Sequence, residues 1–531
     1  MSAIVRFSTM TGMTTTLALD QLTPDQLRRL AVQLIERVES LDGHVAHLNK
    51  TVLHYKTVNQ KLTHELAVLK RHRFAKRAES FSPAQASLLD ELIDADLAGI
   101  EAELETLKPA QPATVEPRHK PKRSALPAEF PRTLIHHEPD TTHCQCGCAL
   151  KRIGEDVSEK LDYTPGVFTV ERHIRGKWVC DQCETLIQAP VPAQVIDKGI
   201  PTAGLLAQVM ISKFADHLPL YRQEKIYERA GYAIPQSTLS EWVGVCGVRL
   251  QPLVDALREV VLGHAVVHAD ETPVPMLAPG KKKTHRAYVW AYCTTSFAEI
   301  NAVVYAFCPS RAGEHVRAFL GDWKGQLVCD DFSAYKASFV QGVIEIGCMA
   351  HARRKFFDLF STDKSPLSEQ ALHYIQLLYE VEREARELTP DQRRQLRQEK
   401  AAPIMEALHA WMMAQRQLVT PGTAIAKAFD YSLKRWTALS RYLDDGALPI
   451  DNNQVENRIR PWAIGRSNWL FAGSQRSGER AAALMSLIQS AKVNGHDPYA
   501  YLKDVLERLP TQKMSQIGEL LPHNWVPLRN L

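Results

Sequence analysis

Two apolar runs in this 531-residue chain end in carboxylates. His264-Ala-Val-Val-His268-Ala leads into Asp270 and Glu271, and Gln326-Leu-Val-Cys329 leads into Asp330 and Asp331. Short apolar runs of this kind read as buried strands. Between them, Ala287 to Thr294 and Asn301 to Cys308 also read as strands, and a helix beginning near Gly313 carries Val316, Phe319 and Leu320. Three strands, a helix and a fourth strand form an α/β layer with acids at the ends of the first and fourth strands. Much later, Ile450-Asp451-Asn452-Asn453-Gln454-Val455-Glu456 opens a helix and brings a third acid. Three converging oxygen ligands suit Mg²⁺ or Mn²⁺, which bind through few carboxylates plus substrate phosphate. Two such ions serve an in-line phosphoryl transfer. Acids at strand ends are also commonly solvated or capping, so spacing alone does not establish this site.

A second chemistry lies in the cysteines. Five of the ten crowd between Cys144 and Cys183. His143-Cys144-Gln-Cys146-Gly-Cys148 is followed, across residues that alternate like strands, by Cys180-Asp-Gln-Cys183. Two knuckles on a small sheet supply four thiolates, the set that selects a structural zinc ion. The first half holds more ligands than one knuckle needs, so four of Cys144, Cys146, Cys148, Cys180 and Cys183 are expected to bind, with His143 a possible substitute. A redox pair is the alternative. Cys348 and His351, three apart, form a metal half-site with no partner pair nearby in sequence, which favours a structural role. Arg353, Arg354 and Lys355, and later Arg458, Arg460 and Arg466, are candidates for DNA phosphates, whose contacts fix register without reading bases. Trp462 and Trp469 suit either base stacking or the core.

The elements that must carry these residues follow from pattern. Leu27, Leu34, Leu41, Leu48, Tyr55, Leu62 and Leu69 recur at steps of seven, with Ala31, Val38, Val45, Val52, Asn59 and Leu66 between them. β-Branched residues at a and leucine at d favour a parallel dimeric coiled coil, and one Asn at a fixes its register. A basic stretch from Lys70 to Arg77 follows, then a helix from Pro83 to Leu107 with an acidic outer face. We expect a coiled coil and helix over 20–107, a proline-rich basic linker over 108–139 and a zinc-binding β domain over 140–195. Residues 200–262 outline a helix-turn-helix, with Leu205 to Tyr227 helical and a serine-capped helix at Ser237 to Trp242; packing beneath the next domain is the alternative. A catalytic core over 263–475 carries a charged all-α insertion over about 357–445, which either clamps DNA or lies solvated, and a helical region over 476–531 ends the chain.

Bulk properties restrict less. Hydrophobic residues at 45% and charged residues at 23% are ordinary for globular domains. A formal charge of +4 does not by itself point to nucleic acid. No run approaches a membrane span, and the first residues lack a signal-peptide pattern. The clustered cysteines fit a reducing cytoplasm.

The chain resembles the insertion sequence 66 family of transposases from the end of the zipper onward. The resemblance rests on Tyr163-Thr-Pro165, on Lys213-Phe-Ala-Asp-His-Leu-Pro-Leu-Tyr-Arg222, on Asp270-Glu-Thr-Pro273 and on Cys348-Met-Ala-His-Ala-Arg-Arg-Lys-Phe356. Asp451-Asn-Asn-x-x-Glu456, Gly465-Arg-Ser-Asn-Trp-Leu-Phe-Ala-Gly473 and Asn494-Gly-His-Asp-Pro-Tyr-Ala-Tyr-Leu502 complete it. It implies a multidomain protein with an N-terminal α coiled coil, a zinc-binding β domain and an α/β RNase H-like core of the DDE type. Its acid triad falls on Asp270, Asp330 and Glu456, with Mg²⁺ or Mn²⁺. It also implies DNA as partner (terminal repeats and target), a homodimer or larger assembly, small accessory proteins of the same element and a place on the bacterial nucleoid in the cytoplasm, away from membranes. Three positions depart from the family pattern. Asp331 stands where glycine is usual and so rivals Asp330, Ser467 stands where lysine is common, and the first zinc knuckle is irregular. An RNase H-like nuclease that does not join strands, or a non-catalytic zinc-containing DNA-binding regulator, are the rival readings.

Overall fold

The computed structural model describes residues 4–8, 14–18, 23–74, 83–106, 126–128, 130–139, 143, 148–164, 166–197, 199–278, 284–469 and 471–527. The chain divides into two units, one of residues 1–72 with 103–114 and one of residues 73–102 with 115–531.

In the first unit, β1 (Ile4–Ser8) and β2 (Thr14–Ala18) pair antiparallel. The helix α1 (Pro24–Phe74) runs 51 residues, roughly 77 Å at ~1.5 Å per residue. Val38, Leu41, Val45, Leu48, Val52 and Tyr55, all on the heptad seam, are each about half exposed. A helix of this length with an open apolar seam has little to hold it in an isolated chain.

Most of α2 (Pro83–Thr106) falls in the second unit. Ala95, Ala98 and Ile100 are buried on it, and Asp96 is buried too, paired with Arg480 at 2.9 Å. A small sheet follows, built from β3 (Arg132–His137), β4 (Lys151–Thr164), β5 (Val167–Val179) and β6 (Leu186–Gln188) in the order β3-β5-β4, with β6 on β5. Gly166, at φ +91°, makes the turn between β4 and β5, a backbone conformation that side-chain-bearing residues rarely adopt.

The expected helix from Leu205 to Tyr227 is two helices, α3 (Ala203–Phe214) and α4 (Leu220–Arg229). The chain breaks at His217, whose φ is +58°, just ahead of Pro219, which lacks the amide a continuous helix needs. The next helix, α5 (Gln236–Leu262), starts from Pro235 with no side-chain cap, so the expected serine cap is absent there. Nearly all of α3 is buried.

The central sheet comprises β7 (Val266–Met276), β8 (His285–Thr294) and β9 (Val303–Cys308), then, after α6 (Gly313–Leu320), β10 (Gln326–Val328), and after α7 (Lys336–Val340), β11 (Ile344–Ile346). Its order is β11-β10-β7-β8-β9. The three earlier strands form an antiparallel meander, while β10 runs parallel to both β7 and β11. Crossover helices are what parallel neighbours require.

Six helices come next: α8 (Met349–Asp363), α9 (Pro366–Glu384), α10 (Pro390–Leu396), α11 (Ala402–Leu418), α12 (Ala424–Lys434) and α13 (Trp436–Ser440). They share a hydrophobic cluster, with Phe356, Ile375, Leu408 and Phe429 at its centre, that also takes in Val328 and Ile346 of the sheet. Their arginines are not all solvated. Arg397 is fully buried and donates to the carbonyls of Tyr442, Asp445 and Leu448 at 2.8–3.1 Å, with Glu382 as its counter-ion at 2.6 Å. This fixes the segment that leads into Asp451.

The chain closes with α14 (Asn453–Trp469), α15 (Gln475–Val493) and α16 (Pro498–Arg508). On α15, Ser486 and Ser490, four apart, accept the β9 amides of Tyr305 and Val303 at 2.9 and 3.0 Å. An edge strand is thereby capped by helix hydroxyls, which removes an exposed pairing surface. Among the described residues no helix is long and apolar enough to cross a membrane.

Candidate active site

The parallel register pairs Val328 of β10 with His268 of β7. Continued for two residues, it sets Asp330 beside Asp270, because adjacent parallel strands keep equal numbering along the ladder. Glu456 enters from the first turn of α14, a helix that packs on β7 and β8. Asp270 feels the other two acids. Burial above all, then the charge of Glu271 and, to a smaller extent, those of Asp330 and Glu456, push Asp270 up to about 8 against the pull of a backbone amide contact at Glu271. Among the described residues Asp270 has no ion pair with a basic side chain. A buried carboxyl with two further acids about it, one just past β10 and one on α14, is a donor set of the kind a hard divalent cation takes.

Asp331 is turned elsewhere. Its carboxylate lies 2.7 Å from Lys336 and 3.2 Å from Arg435, a side chain only 4% exposed. Glu271 faces away as well, accepting from Tyr335 at 2.9 Å and from Arg311 at 2.7 Å. Burial raises its carboxyl, against the pull of Arg311. Alternation along β7 explains the split, since successive side chains point to opposite faces.

The loop before α14 fastens the third acid to the first. Asp451 accepts from the Tyr379 hydroxyl at 2.7 Å and from the Asn453 amide at 3.0 Å. Asn452 is fully buried between β7 and α8, where its own amide donates to Cys348 Sγ at 3.1 Å. Glu456 then meets Arg354 of α8 through Oε2 at 3.2 Å and faces His351 Nδ1 through Oε1 at 3.7 Å. Sequence spacing showed no partner for Cys348 and His351; the third acid, about a hundred residues on, is their neighbour.

The basic residues separate into two groups. Arg353, Arg354, Lys355 and Arg460 are exposed. Arg353 and Arg354 line an open groove of about 760 Å³ with Arg383, Phe357, Phe360 and Tyr379. Arg458 is partly buried, and Arg466 donates to the Pro273 carbonyl at 2.9 Å and to the Thr272 hydroxyl at 3.3 Å, so it braces β7. Trp462 belongs to the core at 2% exposure, while the side chain of Trp469 lies outside the described residues.

In the small sheet, Cys180 opens a tight turn: its amide donates to the Thr185 carbonyl, and Glu184 donates back to the Cys180 carbonyl at 2.8 Å. Cys148 packs with Cys180, Leu150, Trp178 and Ile187 in a cluster of its own. Cys183 is exposed at the same turn. Two cysteine-bearing segments meeting at one end of a sheet fit a thiolate zinc site. Cys144 and Cys146 lie outside the described residues.

Comparison with known proteins places these parts in order. Residues 198–480 match the model described as "Transposase IS66 family", and residues 486–523 match the "IS66 C-terminal element". Residues 141–184 match the zinc-finger binding domain of transposase IS66, and residues 61–135 match "Transposase C of IS166 homeodomain". The uncharacterized protein y4jD of Sinorhizobium fredii is 36% identical over 92% of this chain and 98% of its own. Another uncharacterized protein of that organism, y4qI, is 36% identical over 89% of this chain and 90% of its own.

Proposed function

The chain belongs to the IS66 transposase family, and we propose that it cuts DNA at the ends of its element and joins the freed 3′ hydroxyl to a target. Asp270, Asp330 and Glu456 are the catalytic acids and hold Mg²⁺ or Mn²⁺. The observation that carries this reading is the parallel register of β7 and β10, which continued by two residues brings Asp330 beside the buried Asp270, with Glu456 on the α14 turn packed against β7. The sheet order, an antiparallel meander extended by two parallel strands, supports an RNase H-like core. When bound, the cations activate the attacking oxygen and offset charge on the leaving oxygen.

The protein's own groups do the rest. Arg354 reaches a DNA phosphate from beside Glu456, with Arg353, Lys355, Arg458 and Arg460 adding further phosphate contacts. Arg466 keeps the strand that carries Asp270 in place. Positioned charge of this sort is most of what phosphoryl transfer asks of a protein. Four of Cys144, Cys146, Cys148, Cys180 and Cys183 hold a structural zinc ion, and the α1 seam pairs two copies so that both element ends are held by one assembly.

Strand transfer by the purified protein on labelled element ends with Mg²⁺, beside Asp270→Ala, tests the reading. Joined product from the parent alone is expected. Cutting without joining would replace it with a nuclease, and specific end binding without any product would leave a regulator.

A further inference from the structure

Cys348, His351 and Glu456 each offer one ligand atom, and these atoms all lie within 4.8 Å of one another. Cys348 stands at the start of α8, His351 in its first turn and Glu456 in the first turn of α14. His351 Nδ1 and Glu456 Oε1 are buried, and neither has a hydrogen-bond partner. They face each other at 3.7 Å, too far for a hydrogen bond. Donors held about 2.0–2.3 Å from one ion at tetrahedral angles stand roughly 3.3–3.8 Å apart, so the gap is the width that a shared ion fills. Arg354 meets the other oxygen, Oε2, and leaves Oε1 directed at His351. The Asn452 amide donates to Cys348 Sγ, the kind of contact that orients a metal-binding thiolate from outside the ligand set.

We propose that Cys348, His351 and Glu456 form a site for Zn²⁺ or a similarly soft divalent ion, distinct from the zinc-finger cysteines. Sulfur, imidazole nitrogen and carboxylate oxygen together select zinc over magnesium, which prefers oxygen alone. Three protein ligands leave a fourth position for water or a DNA oxygen. Because Glu456 is shared, zinc in this site draws the third acid away from the Mg²⁺-holding carboxylates and slows strand cleavage. That consequence rests on the proposed function; the binding of zinc does not.

Bound zinc per chain, measured on the full-length protein after exhaustive dialysis against Zn²⁺-free buffer, tests the site in the parent, Cys348→Ala and His351→Gln. Each variant is expected to lose one zinc relative to the parent and to keep that of the finger. His351→Gln leaves Cys348 in place, so it decides the matter where Cys348→Ala fails to fold by circular dichroism. Equal zinc in the parent and a folded variant overturns the site. Zn²⁺ titrated into Mg²⁺-supported strand cleavage, each protein scaled to its own zinc-free rate, tests the sharing of Glu456. At least tenfold more zinc for half-inhibition of the variant is expected, and equal inhibition overturns the sharing. A parent that binds the extra zinc but cleaves nothing sinks the transposase reading alone.

Discussion

Asn452 and His268 join the helix of the third acid to the strand of the first. Asn452 Oδ1 lies 2.7 Å from His268 Nδ1, and its Nδ2 donates to the Ala269 carbonyl at 2.9 Å, one residue before Asp270. Burial drives the His268 imidazole down to about 4, so near neutral pH the ring is uncharged and Nδ1–H is the donor. Asn452→Ala leaves two buried polar groups unpaired, each costing about 1–3 kcal/mol. Denaturant unfolding is expected to show that loss. Strand cleavage is expected to fall at least tenfold with end binding intact, because Glu456 is no longer held against β7. Full cleavage by a destabilised variant would mean that Asn452 serves the fold alone.

Asp330 and Asp331 are adjacent in sequence and opposite in task. Asp331→Asn removes a counter-ion from Arg435, which keeps Glu345 at 2.6 Å. A stability loss of about 1–3 kcal/mol with cleavage retained is expected. Asp330→Asn is expected to abolish cleavage without lowering stability, since it relieves repulsion around Asp270. Equal loss of cleavage in the two variants would show that the register-based choice of Asp330 is wrong.

The contrast between these neighbours shows what sequence could and could not convey. The apolar runs before Asp270 and Asp330 were legible as strands because burial leaves a continuous hydrophobic pattern, and the heptads of α1 were legible for the same reason. Which acid of each pair faces the site depends on strand register, a tertiary property. The charged insertion that contains Arg393 and Arg397 reads either as a DNA clamp or as a solvated hairpin, yet both arginines are buried and hold carbonyls of the segment before Asp451. No local pattern marks an arginine whose acceptors are backbone groups some fifty residues away. The meeting of His351 with Glu456 was hidden in the same manner, behind the whole helical insertion.

Asp270 makes the metal-free protein sensitive to pH. Its folded value of about 8 lies above the ordinary 3.8, so the folded chain keeps a proton that the unfolded chain releases. Its contribution to stability is present below the ordinary value and is lost as pH rises toward the folded one. Each unit of difference is worth ~1.4 kcal/mol, so thermal unfolding in EDTA is expected to weaken steadily from about pH 5 to about pH 8. Asp270→Asn should flatten that decline. Mg²⁺ should restore more stability at the alkaline end, where it does not have to displace a proton. A parent whose decline matches that of Asp270→Asn would show that this carboxyl titrates normally.

The seam of α1 predicts self-association. Leu41 and Leu48 are 49% and 59% exposed in the single chain, and a second seam covering them supplies burial worth ~25 cal/mol per Å² of apolar surface. Sedimentation of the full-length protein is expected to give a dimer or larger. Leu41→Lys with Leu48→Lys places like charges at facing d positions and should lower that state. An unchanged mass would assign the association to another surface.

The groove of Arg353, Arg354 and Arg383 reaches Glu456 through Arg354, and its aromatic lining separates two kinds of contact with DNA. Arg383 belongs to α9 and is two-thirds exposed, so it suits a phosphate contact that carries no sequence information. Arg383→Ala is expected to weaken binding to specific and random DNA alike and to reduce the salt slope by about 1. Phe357, 46% exposed beneath the Arg353 guanidinium at 5.3 Å, presents a ring face instead. Phe357→Ala should leave the salt slope unchanged and weaken binding by about 1–3 kcal/mol only where the DNA next to the cleavage point is unpaired. Fluorescence anisotropy with duplex and frayed ends across a salt series measures both. Equal effects of Phe357→Ala on the two substrates would remove base stacking from the role of this groove.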